Sequence, residues 1–477
     1  VPYRLLWTHW VNFMGENDNA PWAMPANYEV PQVSCPSGGW AKGSLADHFG
    51  WPTGVIGNGW KASAFPFRAY VKIWNEWFRD ENIQNPAYMS EGDSDTTGKN
   101  KGIGYDYVTD TECGAYPLKA AKLHDYFTSG LPNTQRGTAV SVPLGNTAPI
   151  VFAEPDNVYP SHTKWTAGAG QKVALDRGSS TFGAYTDETT QTLLPAGYSA
   201  ALVADLSSAI GATVNQLRQS FQLQKFYERA ARGGARYIET ILSHFETTNP
   251  DFRMQRPEYL GGKRIPINMN QVVQTDASGK SSWYDSDNST WVTDDKTPQG
   301  NLAAYSATAD SNEDLWTHSF TEHGCIMGLA VIRTQHSYQQ GLNQMFSRKR
   351  MFDFYWPELA NLSEQPIYNK EIYLQGTSQD DEAFAYQEAW ASYRYMPDVI
   401  CGELRSNYAQ SLDIWHYGDD FNALTTLSPE WISEPEENMA RTLAVQSHDQ
   451  FFGDFYFKPI YTLPMPLYSV PGLIDHH

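Results

Sequence analysis

Arg218, Lys225, Arg229, Arg232 and Arg236 fall at offsets 0, 7, 11, 14 and 18, which at 100° per residue confines them to an arc of about 60° on a helix. A stripe of this kind faces anions, either nucleic-acid phosphate or carboxylates of a neighbouring subunit. An ordinary solvated helix face is the competing reading, and Gly233-Gly234 interrupts the alignment before Arg236. Arg348-Lys349-Arg350 is the densest basic triplet in the chain and lies among Met345, Phe346, Phe352 and Tyr355. Cations beside aromatic rings suit unpaired bases, which stack on any π-face. Packing at a protein interface explains the same composition equally well.

Chemistry of other kinds finds little support. Gly279-Lys280-Ser281 ends like a phosphate loop, but Gln274 stands where the first glycine is required, and no apolar helix follows to supply backbone donors. Asp93-Ser-Asp95-Thr-Thr-Gly98 begins like a calcium loop, yet Gly104 occupies the twelfth position where a closing Glu is needed. His318 and His323 are five residues apart, a spacing that puts two imidazoles on one face of neither a strand nor a helix. His323 is therefore read as a packed or interfacial histidine. The adjacent acids Asp380/Asp381 and Glu436/Glu437 are expected to be solvated. No nucleophile elbow, zinc-protease helix or catalytic cysteine context is present. Neither catalysis nor a metal or cofactor is expected.

The elements that must position the cations are few. Tyr70, Ile73, Trp74 and Trp77 give Phe67 to Asp80 an apolar helical face, and a shorter helix is predicted at Tyr3 to Phe13. The strongest helix signal opens at Thr213-Val-Asn-Gln216, in the form of a capping box. It runs to Gly233-Gly234, and a second piece carries Ile238, Ile241, Leu242 and Phe245. Strands are predicted at Phe320 to Arg333, Ser392 to Met396 and Asp454 to Tyr461. Strands this far apart, separated by long loops, point to an antiparallel sandwich and not to a βαβ repeat. From about Gly145 to Gly211 the chain is rich in Gly, Ala, Thr, Ser and Pro without clear period, and a segment of this length inside a domain is functional or inserted. Asp276 to Asn301 is a smaller polar excursion.

Aromatics make up 14% of the 477 residues and charged residues only 18%, below the roughly 25% usual for soluble domains. With 36 Gly and 28 Pro, this describes a β-rich, loop-heavy protein with much of its surface in contact. The formal charge of −20 opposes free binding to nucleic acid, but leaves open a container whose inner face alone matters. The four cysteines (Cys35, Cys113, Cys325 and Cys401) form no metal-ligand spacing, and are read as reduced thiols suited to a cytoplasm. No apolar run approaches 18 residues and no signal peptide is seen, so a soluble chain is expected. The tail is apolar and aromatic, yet Pro464, Pro466 and Pro471 deny it a helix or a central strand. Met465, Leu467, Tyr468, Val470, Leu473 and Ile474 are therefore expected to lie extended against a neighbouring subunit or the adjoining part of the same fold.

Seven segments, in order along the chain, carry a family resemblance: YVKIWNEWFRDENIQ (70–84), RPEYLGG (256–262), YQQGLNQMFSRKRMFDFYWP (338–357), QPIYNKEIY (365–373), YRYMP (393–397), LDIWH (412–416) and the tail PMPLYSVPGLI (464–474). Together they resemble the major capsid proteins of the gokushovirus-like Microviridae, small single-stranded DNA phages. The resemblance implies a mainly β fold, a single eight-stranded antiparallel jelly roll with long loop insertions and several short α-helices. Residues 1–144 and 212–477 would form the capsid core, and 145–211 a surface protrusion at the three-fold axes.

The same resemblance implies sixty copies, built through pentamers, in a T=1 icosahedral virion shell assembled in the bacterial cytoplasm around circular DNA. Further partners would be small basic DNA-binding or other minor virion proteins and a host-cell surface receptor. It also implies sequence upstream of Val1 that contributes an early barrel strand. Sixty chains would together carry about −1200, so separate cations must neutralise the genome. Two other classes share the composition: a secreted carbohydrate-active or carbohydrate-binding β-protein, and a phage adhesin or tail component.

Overall fold

Helix Phe65–Ile73 (α1) organises the N-terminal part of the computed structural model. Ser63 Oγ accepts the Phe65 N–H at 3.3 Å, and Pro66 sits in the first turn, where its missing donor costs nothing. Phe67, Tyr70, Val71 and Trp74 form the buried stripe, one step round the helix from the predicted face. Trp77 turns outward onto Tyr259 and Arg256, because the helix widens into a π turn over Trp74–Phe78 and shifts the register of its faces. The core around α1 adds Val33, Trp40 and Leu45, and the antiparallel pair Gln32–Ser34 and Lys61–Ser63 closes its edge. The predicted N-terminal helix is split into a 3₁₀ turn at Tyr3–Leu5 and a single turn at Trp10–Phe13.

The structure describes residues 1–15, 29–35, 38–55, 60–93, 116–140, 150–152, 174–178, 181–185, 202–204, 214–253, 255–273, 281–285, 287, 289–294, 302–308, 315–443, 447 and 449–465. Among these, strands pair only as seven two-stranded sheets, and the expected eight-stranded jelly roll is not seen. Two of the sheets are nested. Ile150–Phe152 pairs with Leu202–Ala204 outside the hairpin of Ala174–Gly178 and Thr181–Tyr185. Asn268–Val273 pairs with Leu302–Thr308 outside the hairpin of Ser281–Asp285 and Thr290–Asp294. Ser281 thus opens a strand and not a helix, which removes the phosphate-loop reading.

A second core lies where Gln365–Tyr368 pairs with Ala383–Gln387. Ile367 and Ala385 face each other at the centre of that ladder, and Phe127, Ile372, Phe384, Trp431 and Ile432 pack around them.

None of the three predicted strands forms a ladder. Residues 391–393 are a 3₁₀ turn, and 454–461 belong to no helix or strand. Residues 320–333 form no strand either, although Cys325, Met327 and Leu329 are less exposed than Ile326, Gly328 and Ala330 between them. That alternation is the period of a strand with one covered face. Among the described residues the segment forms a single bridge, at Pro2/Gly324, flanked by the bonds from Cys325 N to Val1 O and from Tyr3 N to His323 O. The expected strand at 320–333 is therefore not formed, because pairing is a property of what lies alongside. Cys35, Cys325 and Cys401 are free thiols, while Cys113 lies outside the described residues. No described helix is long and apolar enough to cross a membrane.

Candidate functional site

The basic triplet sits on a run of short turns. Asn343 Oδ1 caps the first, Gln344–Phe346, by accepting the Met345 N–H at 2.9 Å. Asp353 Oδ2 accepts the backbone N–H of Lys349 at 2.8 Å and of Arg350 at 2.7 Å. Those two bonds hold its carboxyl below the ordinary range and pin the backbone so that both cationic side chains project outward, exposed.

Arg348 behaves differently. Its guanidinium lies 3.8 Å from the Tyr393 ring centre and donates to Ser392 Oγ at 3.1 Å, so it joins two segments of the same chain. Phe346, Phe352, Phe354, Tyr355 and Trp356 remain exposed around the two free cations. The triplet therefore divides into one structural arginine and two cations on an open aromatic surface.

The basic stripe divides as well. Helices Val214–Arg232 (α2) and Tyr237–Phe245 (α3) flank Gly233-Gly234, as the sequence predicts; Thr213 lies outside the described residues. Arg218 and Lys225 are exposed and make no ion pair among the described residues. Arg229 pairs with Glu246 at 3.4 Å, and Arg232 pairs with the buried Glu364. Arg236 turns inward to Glu76, Glu81 and Glu239. Three of the five predicted anion-facing cations thus face carboxylates of their own chain. Val214, Phe221 and Phe226 are exposed on α2, leaving it a cationic and apolar surface.

A buried ionic cluster had no forewarning in the sequence. Asp419 takes Lys122 Nζ at 3.1 Å, His336 Nδ1 at 2.9 Å and the Asn438 amide. The other imidazole nitrogen of His336 meets Glu434 Oε2 at 3.1 Å. A neutral imidazole has one N–H, so contact with a carboxylate at each nitrogen favours the cation. Burial pushes the His336 pKa down, but its two carboxylate hydrogen bonds outweigh that and lift it to about 9. Asp419 and Glu434 are pushed up by burial and brought further down, to below their ordinary values, by His336 and their other donors. The four charges sum to zero, which is what makes their burial tolerable.

Asp380 departs from expectation, being buried and accepting the N–H groups of Gln375, Gly376 and Thr377; Asp381 pairs with Lys370 in solvent. His318 lies 3.4 Å from Glu258, and His323 packs on Trp10. Asp93 accepts Trp7 Nε1 at 2.6 Å, while Asp95 and Gly104 lie outside the described residues. Among the described residues, no group of acids, cysteines and histidines could hold a metal ion.

The last described segment, 451–465, is the most exposed apolar run. Phe452 keeps 97% of its surface in water and Ile460 91%, with Phe455, Tyr456, Phe457, Tyr461, Leu463 and Met465 also exposed. Leu467, Tyr468, Val470, Leu473 and Ile474 lie outside the described residues.

Exposed apolar and aromatic surface as large as this marks a place of contact with other molecules. The comparisons supply the family. The family described as Capsid protein (F protein) matches residues 1–473, and the chain belongs to it. It is 41% identical to Capsid protein VP1 of Bdellovibrio phage phiMH2K and 39% identical to Capsid protein VP1 of Spiroplasma virus 4. Each match covers 99% of this chain and 84% of the relative. Capsid protein VP1 of Chlamydia phage 1 is 35% identical over 99% of this chain and 85% of its own length. The chain is thus a major capsid protein of a Microviridae-type phage, a role that is structural, and nothing in the matches supports a carbohydrate-active protein.

Proposed function

We propose that this chain assembles with copies of itself into a sixty-subunit, T=1 shell around a circular single-stranded DNA genome. What carries the reading is the unburied aromatic run at 451–465 on a chain that belongs to a capsid family. Apolar surface of this extent is stable in water only if something covers it, and further copies can supply that cover through contacts repeated by symmetry. Within the shell the stretches 320–333 and 451–465 would complete the jelly roll of which the isolated chain forms only fragments. Region 145–211 would project outward toward a host-cell receptor, since its strands at 150–152 and 202–204 pair and so bring the excursion back to where it leaves. Pentamers would be the building blocks, small basic proteins or other cations would offset the shell's charge, and assembly would take place in the host cytoplasm.

The test is size. Purified chain should give megadalton particles or pentameric precursors by light scattering, with icosahedral shells in electron micrographs. A stable monomer at high concentration would overturn the reading.

The DNA-facing surface is assigned to Lys349 and Arg350 with their aromatic neighbours, because Arg348 is committed to Tyr393 and Ser392. Replacing Lys349 and Arg350 by Gln should leave shells intact, lower their DNA content and reduce the salt dependence of what remains. Normal DNA content with failed assembly would assign the two cations to subunit contacts. Arg348→Gln should instead lower subunit stability, by about 0.5–2 kcal/mol for a cation over a ring, read by denaturant unfolding.

A further inference from the structure

Arg236 is one guanidinium among three carboxylates: Glu239 at 3.2 Å, Glu81 at 3.3 Å and Glu76 at 3.8 Å. Two of these acids converge on one point. Glu81 Oε1 accepts the Ala235 N–H at 2.8 Å, and Glu81 Oε2 and Glu239 Oε2 both face the Arg236 N–H, at 3.2 and 3.1 Å. Gly234, at φ +92°, makes room for them, since a Cβ there would collide with both carboxyls. Like charges this close cannot both ionise cheaply, and one proton shared between them removes the conflict.

The pair also joins two bodies. Glu81 belongs to the turn after α1, while Glu239 is in the first turn of α3, just past the Gly233-Gly234 break that separates α3 from α2.

We propose that this carboxyl pair is a proton-operated catch: a proton held between Glu81 and Glu239 fastens the α2–α3 joint to residues 74–84, and its loss frees the joint. The catch would set the position of α2, and hence of its exposed cations and apolar residues, according to pH.

The surroundings support it. Burial and then the hydrogen bond to Glu239 raise the Glu81 pKa. Glu239 is pushed up by burial but ends below its ordinary value because Glu81 and Arg236 both favour its anion. The folded pair therefore keeps its proton above the ordinary Glu range near 4.5. A group whose folded pKa is raised in this way favours docking most at low pH, and the advantage fades as pH climbs through the raised value.

Other charges face the joint, among them Arg79, which interacts with Arg236, Glu81 and Glu76. Arg79 donates to Gln84 O and Asn75 O, and Asp80 accepts from Asn82 N and Ile83 N. Arg136 spans Gly234 O and Asn82 Oδ1, and Arg229 pairs with Glu246. His244, stacked on Phe226, is a further titratable group between the helices.

Hydrogen–deuterium exchange on the full chain as unassembled subunits, corrected for intrinsic rates, tests this between pH 5 and 8. Amide protection over 235–245 should fall in the wild type as pH rises, by tenfold for each pKa unit of linkage. Glu81→Gln, neutral at every pH, should keep high protection throughout, and Glu76→Gln should keep the wild-type pH dependence. The catch is overturned if wild-type protection is independent of pH, or if Glu81→Gln retains the wild-type profile, which would assign it to His244. Loss of protection in Glu81→Gln at both pH values would also overturn it, since Glu81 would then be needed as an anion.

Discussion

An Asp419→Ala subunit is expected to lose on the order of 3–5 kcal/mol of stability, the cost of leaving buried charge uncompensated. That is a large part of what an ordinary domain has to spare. Asp419 is the anion common to Lys122 and His336, and both cations are almost wholly buried. Without it they retain only Glu434, which reaches His336 alone. Asp419→Asn should lose less, because it keeps the shape and an acceptor for Lys122.

Urea unfolding of dissociated subunits reads the difference, and a midpoint within error of wild type for Asp419→Ala would refute the assignment. The pH profile gives a second reading. The folded pKa of His336, about 9, lies above its unfolded value near 6.5. Its contribution is therefore complete below about 6.5 and is lost as pH rises through about 9. Asp419 and Glu434 have lowered folded pKa values, so theirs is present above the ordinary carboxylate range and is lost as pH falls through the lowered ones. His336→Gln should flatten the alkaline loss and also shrink the acid loss, since His336 is the first donor that lowers both carboxyls.

The second large effect is on assembly. Removing residues 451–477 should give a subunit that folds but makes no stable shell. None of the three apolar clusters draws a residue from 451–465, so the fold does not rest on this segment. Each of its large side chains, if fully buried at a contact, stabilises that contact by roughly 1.5–3 kcal/mol, before the cost of ordering the chain. The contact recurs at every subunit, so a modest loss per copy abolishes the closed particle. Circular dichroism should be near wild type while light scattering shows only small species. Shells of normal yield from the truncated chain would remove the segment from assembly.

Helices were legible in the sequence where periodicity and breakers agreed. The spacing of Tyr70 and Trp74 marks α1, and Gly233-Gly234 marks the joint between α2 and α3. The π turn at Trp74–Phe78 was not legible, because nothing in residue type announces one extra residue in a turn. Arg218 to Arg236 could be placed on one arc, but the carboxylates that claim three of them come from residues 76, 81, 239, 246 and 364, and sequence separation hides such partners. The same holds for Lys122, His336, Asp419 and Glu434. Acids in this chain look alike until burial separates Asp380, held by three backbone donors, from Asp381 in solvent. Segments 320–333 and 454–461 were expected as strands and form none among the described residues, since residue type leaves the pairing neighbour unnamed.

The cluster centred on Asp419 also sets an order of events during synthesis. Lys122 leaves the ribosome long before Glu434, by about 15–60 s at the usual bacterial pace of chain growth. Until the last acid arrives, His336 and Lys122 lack their full complement of anions, and contacts so distant along the chain close slowly. The aromatic run at 451–465 is translated later still. The surface best suited to sticking to another copy is therefore made last, when the charges that close the subunit are already present, so premature association has little time in which to occur.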